Sequence, residues 1–182
     1  MGLAIELTAP LVPCLFMGTE FFNDGAFSST PTPVDWELVS DGASENSLLL
    51  GLTKTLIALR ERYGLSAGSV EVSWSDDSLG LLSYVINTAS TTLLCVINTS
   101  YVDYALCLHG SVTRSANDVT IPTPSLENRN WEPLFSSESS SYSHFFSDES
   151  EEVLGVKCIN TTAADCITTS FHSASIRIFT AL

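Results

Sequence analysis

Paired carboxylates, histidines and cysteines are the groups in this chain that could take part in a reaction. Asp76-Asp77 and Glu151-Glu152 are adjacent acidic pairs. A bond cleaved by two carboxyl groups needs both to face it, and neighbours in extended chain point to opposite sides. Both pairs also fall in turn-rich or Ser-rich acidic stretches, where a carboxylate is ordinarily a solvated surface group. His109, His144 and His172 stand alone, with no Asp, Glu or second His at triad or metal-ligand spacing. The five cysteines, Cys14, Cys95, Cys107, Cys158 and Cys166, are odd in number and contain no CxxC pair. They predict neither a zinc site nor a disulfide framework, but small apolar core residues in a reducing compartment. No Gly-rich phosphate loop occurs. The expectation is a chain that carries no catalytic group, metal site or cofactor of its own.

Composition narrows the partners. The 182 residues hold 21 acidic against 7 basic side chains, a formal net charge of -14. That charge repels phosphate backbones and anionic bilayers, which argues against nucleic acid and membrane partners and leaves neutral polymers permitted. With 45% hydrophobic and 15% charged residues, a packed core is expected rather than disorder. The amino end lacks a positive n-region, and Glu6, Pro10 and Pro13 break its apolar run, so it is not read as a signal peptide. Two sequons, Asn98-Thr99-Ser100 and Asn160-Thr161-Thr162, matter only in a secreted chain. Cytosol or plastid suits the cysteines best.

The elements that would position any site follow from periodicity. Gly2 to Ala9 reads as a helix end, stopped by Pro10. Val12 to Met17, an unbroken apolar run closed by Gly18, has the pattern of a parallel strand buried on both faces. Residues 19–39 predict a long loop. Ser44 to Tyr63 is an amphipathic helix with Leu48, Leu52, Leu56 and Leu59 on its apolar side, Ser44 or Asp41 as cap and Gly64 at C′. Beyond Gly64 the period becomes two. Strands are predicted at Ser69–Trp74, Gly80–Asn87, Thr91–Thr99, Asp103–His109, Trp131–Ser136, Val153–Asn160 and Ser175–Leu182, which indicates an antiparallel sandwich or barrel. Ser136 to Glu152 reads as a mobile surface loop.

The run Leu11-Val12-Pro13-Cys14-Leu15-Phe16-Met17-Gly18-Thr19-Glu20 resembles the eighth barrel strand of the alpha-amylase superfamily, glycoside hydrolase family 13. Pro13, Leu15, Phe16, Gly18 and Glu20 match its pattern, Leu11 replaces the usual Gly, and the Phe-Met-Gly wording is closest to branching and trehalose-releasing members. Residues 52–63 are similar to the last barrel helix. Leu93 to Asn98, Trp131 to Phe135 and Ser173 to Phe179 are similar to strands of the family's C-terminal β domain. The resemblance implies a fold in which residues 1–66 are the last β/α unit of a TIM (β/α)8 barrel and residues 67–182 an all-β antiparallel sandwich.

It also implies a parent enzyme that cleaves or transfers α-glucosidic linkages of starch or glycogen with retention, using two carboxyl groups about 5 Å apart and a third that steadies the sugar. All three would precede residue 1. Calcium, where the family uses it, binds elsewhere in the barrel. In a barrel the loop after strand eight faces substrate, so Glu20, Phe21, Phe22, Asn23, Asp24 and Trp36, with Phe27 and Asp35, are the candidate sugar-binding residues. Aromatic faces stack on pyranose rings, and carboxylates and amides bind hydroxyls. Against this, Glu20 could bond neighbouring loop amides, Phe21 and Phe22 could pack under the loop, and Trp36 could cap the helix. A rival assignment is a non-catalytic carbohydrate-binding or accessory β protein using Trp74, Tyr84, Tyr101, Tyr104 or Trp131; a third is an interaction domain. The unpaired apolar run further predicts that the isolated chain self-associates.

Overall fold

The computed structural model describes residues 1–23, 33–109, 118–122, 130–142, 159–160 and 169–181. Among these residues, helix α1 (Gly2–Thr8) and helix α2 (Glu45–Tyr63) precede nine strands. A six-stranded, wholly antiparallel sheet has the order β1-β2-β3-β9-β6-β7. Its members are β1 (Ser69–Asp76), β2 (Leu81–Asn87), β3 (Thr92–Asn98), β6 (Asn130–Ser136), β7 (Ile159–Asn160) and β9 (Ser175–Ala181). A second sheet has the order β5-β4-β8, from β4 (Tyr104–His109), β5 (Asp118–Pro122) and β8 (Thr169–Phe171).

The main sheet is apolar on both faces. Tyr84, Ile86, Leu93, Cys95, Ile97, Ile176 and Ile178 face a cluster that includes Ala4 and Leu7 of α1 and Leu52 and Leu56 of α2. The alternate residues Leu81, Val85, Leu94, Val96 and Phe179 meet Phe171 of β8 and Tyr104 of β4. The period of two thus assigns each residue a cover: helices on one side, a second sheet on the other. In β6, Trp131 belongs to the second cluster and Phe135 to the first, although both numbers are odd. A register shift between Pro133 and Phe135 supplies the extra residue that changes the parity.

Helix α2 is built as its sequence indicates. The Ser44 side chain accepts from the Ser47 N–H, and Gly64 closes the helix in the left-handed region at φ 62°. Its inward stripe is Leu49, Leu52, Leu56, Leu59 and Tyr63; Leu49 packs on the core where Leu48 was expected. Helix α1 is held by Arg60 of α2, whose guanidinium donates to the carbonyls of Leu7 (2.9 Å), Ala9 (2.7 Å) and Leu11. A short helix has four carbonyls without internal partners at its end, and a cation there satisfies them with favourable charge. Thr8 Oγ1 also lies 3.1 Å from the Tyr84 hydroxyl, tying α1 to the sheet.

Several expectations are corrected. Residues 12–16 form no strand: they have no regular secondary structure and pair with no strand among the described residues, and Leu11, Val12, Phe16 and Met17 are exposed. Arg60 and Glu6, which accepts the Cys14 N–H at 2.8 Å, bond this backbone instead of a ladder. Consequently no barrel strand is seen among the described residues. Strands β5 and β8 were not foreseen, and β4 pairs with β5 in parallel, so the β region is not wholly antiparallel. The predicted long loop contains 3-10 turns at Thr19–Phe21 and Trp36–Val39. Cys14 is exposed rather than in the core, whereas Cys95 is buried. The side chains of Cys107 and His109, residues 143–158 with His144 and the Glu151-Glu152 pair, and Cys166 lie outside the description.

The surface-loop reading of Ser136–Glu152 fails at its start, where Ser136, Glu138 and Ser139 are buried. Glu138 Oε2 meets Arg177 Nε at 2.5 Å, Glu138 Oε1 accepts the His172 N–H at 2.7 Å, and the Arg177 guanidinium lies 5.5 Å from the Phe171 ring centroid. Two buried charges cost several kcal/mol each to desolvate and persist because they satisfy each other.

Two outcomes follow. Glu138→Ala removes the carboxylate that meets the buried Arg177 guanidinium at 2.5 Å and is expected to lower unfolding free energy by about 3–5 kcal/mol. Urea melts check this; a loss under about 1 kcal/mol contradicts the pairing. Arg60→Met keeps the aliphatic stem and is expected to cost about 2 kcal/mol, with amide-exchange protection lost first in α1. Unchanged exchange in α1 would show that the guanidinium does not hold it.

Candidate functional site

Residues 18–23 make a compact turn on the amino-terminal half of α2. Gly18 adopts φ 89° and Phe22 φ 57°, both left-handed, and the Asn23 N–H returns to the Gly18 carbonyl at 2.9 Å. A Cβ on Gly18 would fall 2.6 Å from the Asn23 Cβ, so both conformation and space require glycine there. Two polar residues of α2 hold the turn. Asn46 Nδ2 donates to the Phe21 carbonyl (2.7 Å) and Thr53 Oγ1 to the Glu20 carbonyl (3.0 Å). Asn46 and Thr53 are seven apart and share a helix face, and that spacing of polar residues beside Leu52 and Leu56 is their only mark in the sequence.

The candidate residues divide accordingly. Phe21 is fully buried, and its ring centroid lies 5.2 Å from that of Trp36, which is 60% exposed. Phe22 is exposed, and Glu20 and Asn23 are half-buried. Among the described residues, no hydrogen bond to the Glu20 carboxylate is seen, and loop residues 24–32 lie outside the description. Asp35 accepts the Glu37 N–H and caps a 3-10 turn. Asp24 and Phe27 lie outside the described residues. The turn therefore presents two exposed aromatic rings, a carboxylate and an amide, a set suited to apolar faces and hydroxyls, with no second carboxylate shown facing the first.

Elsewhere the chemistry is muted. Among the described residues no group of three His, Cys, Asp or Glu side chains could hold a metal. Burial pushes the Cys95 thiol up to about 12 and raises the Tyr84 phenol as well, so both stay protonated. Asp103 is lowered, first by the Ser173 N–H it accepts at 2.8 Å and then by His172, whose Nδ1 lies 3.4 Å away. A groove of about 300 Å³ lies between Ser75, Asp76, Asp77, Gly80 and Thr99. Within it, Asp76 Oδ1 is bound to the N–H groups of Ser78 and Leu79 as a turn cap. Of the aromatic residues considered for glucan binding, Tyr84 and Trp131 are buried, Trp74 and Tyr104 half-buried, and Tyr101 alone is exposed, at 97%. They make no paired platform.

No family model matches the sequence, and no curated protein matches it. Solved structures do. An Anoxybacillus alpha-amylase superposes on 99% of the chain with TM-score 0.57 at 15% identity. The alpha-amylase of Geobacillus thermoleovorans, complexed with acarbose, superposes on 98% with TM-score 0.55 at 13% identity. Both alpha-amylases contain this fold. At such identity the likeness is one of fold. The chain spans about a third of each of those proteins, 31% and 32% of their lengths. No helix of the described residues is long and apolar enough to cross a membrane.

Gly18→Ala is expected to cost about 1–3 kcal/mol, because a strained φ is joined by a clash. Gly64→Ala, at φ 62° but with nothing within 4 Å of the added Cβ, is expected to cost about 1 kcal/mol. Equal losses in urea melts would contradict the packing of Asn23 against Gly18.

Proposed function

We propose that this chain serves as the C-terminal part of an alpha-glucan-acting glycoside hydrolase or glucanotransferase. In this reading residues 1–66 complete a (β/α)8 barrel, and residues 67–182 support its flank. The observation that carries it is the ribbon at residues 11–17. Leu15 packs on the helix-and-sheet core, while Leu11, Val12, Phe16 and Met17 stand exposed. A ribbon apolar on both sides is the signature of a strand meant for cover on both faces. The fold likeness to about a third of two alpha-amylases supports the same reading.

The turn at 18–23 then lies at the substrate end of a barrel strand. Phe22 and Trp36 offer faces for a glucosyl ring, and Glu20 and Asn23 offer hydrogen bonds to its hydroxyls. The nucleophile and acid come from the remainder of the enzyme, and this chain's share of the work is binding and support. The Phe16-Met17-Gly18 wording favours a branching or trehalose-releasing member. The exposed free thiol of Cys14 favours a reducing compartment, cytosol or plastid.

The chain alone is expected to release no reducing sugar from soluble starch and to elute above monomer mass in light scattering. Val12→Asp with Phe16→Asp is expected to return it to a monomer. Starch hydrolysis by a monomeric wild-type chain would sink the proposal, as would a full-length transcript with an in-frame stop directly before Met1.

A further inference from the structure

Asn98 belongs to a sequon, Asn98-Thr99-Ser100, yet its side chain is completely buried. Its Nδ2 donates to the carbonyls of Val102 (2.8 Å) and His172 (2.9 Å), with the Phe171 carbonyl at 3.5 Å. Its Oδ1 accepts the Ser100 N–H at 3.0 Å and the Ser100 hydroxyl at 2.7 Å. The amide therefore joins the β3–β4 turn to the β8–β9 turn with both of its N–H groups committed and no surface open to solvent.

We propose that Asn98 is a latent N-glycan acceptor whose modification and folding exclude each other. In the transfer, Nδ2 bonds to the anomeric carbon of an oligosaccharide carried on a lipid diphosphate. The carbon–oxygen bond to the diphosphate breaks, the lipid diphosphate leaves with that electron pair, and Nδ2 loses a proton. The modified amide keeps one N–H for two carbonyls and carries a sugar from an atom with no room beside it. A buried acceptor left without its donor costs about 1–3 kcal/mol. The sugar itself cannot be placed without parting β3 from β8 and β9.

Order of synthesis decides which event comes first. His172 lies 74 residues beyond Asn98. At about 5–20 residues per second, the amide waits roughly 4–15 s before its partner exists. During that interval the sequon is open, so a compartment that holds the lipid-linked donor modifies Asn98 before the fold protects it. The native fold described here is then the product of a compartment without N-glycosylation.

The test translates the full chain with microsomes behind a cleavable signal peptide, maps glycopeptides by mass spectrometry, and compares protease half-life with chain made without membranes. Molecules carrying a glycan at Asn98 are expected to be cleaved at least tenfold faster. Ser100→Ala, which removes the sequon and keeps Asn98, is expected to restore resistance in the lumen. A competing Asn-x-Thr acceptor peptide is expected to do the same for the wild-type chain, which decides the matter should Ser100→Ala fold poorly on its own. Resistance equal to that of unmodified chain in Asn98-glycosylated molecules overturns the proposal. So does an Asn98 left unmodified while Asn160 is modified, or failure of the competing peptide to restore resistance.

Discussion

A sheet with two apolar faces has to be covered twice, and the architecture follows from that demand. Strands β2, β3 and β9 carry large apolar residues at successive positions, so neither face tolerates water. Helices α1 and α2 cover one face and the β5-β4-β8 sheet the other. Each covering element is then fixed by a specific polar device. Arg60 holds the end of α1, the hydroxyls of Thr8 and Tyr84 meet beneath it, and Asn98 and Glu138 bind the β8–β9 turn. Apolar area supplies the driving force, and these few groups select one arrangement among many of similar area.

What the sequence made legible is what local chemistry decides. Helix α2 announces itself through Ser44, Gly64 and a leucine stripe, and β1, β2, β3 and β9 through alternation between turns. Three-residue β8 and five-residue β5 carry no such signal, because a run that short shows too little alternation to be told from a turn. Glu138 is the sharpest failure. In a run of serines a carboxylate reads as solvated, and its burial is made tolerable by partners distant in sequence, Arg177, 39 residues away, and the His172 N–H. The ribbon at 12–16 fails for the opposite reason: its apolar residues specify a strand, but a strand also needs a ladder partner.

The candidate site was legible in residue type but not in arrangement. Glycine at 18 and aromatic residues at 21, 22 and 36 were visible as a set. Which ring is buried, which is exposed, and that Asn46 and Thr53 anchor the turn depended on α2 lying beneath it. The aromatic residues of the β region behaved similarly, since the alternation that marks a strand does not say how completely each face is covered.

Strand β9 sits between β3 and β6 in the main sheet, yet the ribosome makes it after every other strand described. Its insertion stitches together two halves that share no other backbone ladder among the described residues. A nonsense codon or frameshift ahead of residue 175 would therefore do far more than trim a tail. It would leave two open sheet edges facing each other across a gap, a template for strand exchange between copies. Quality-control proteases would meet such shortened products as unfinished sheets.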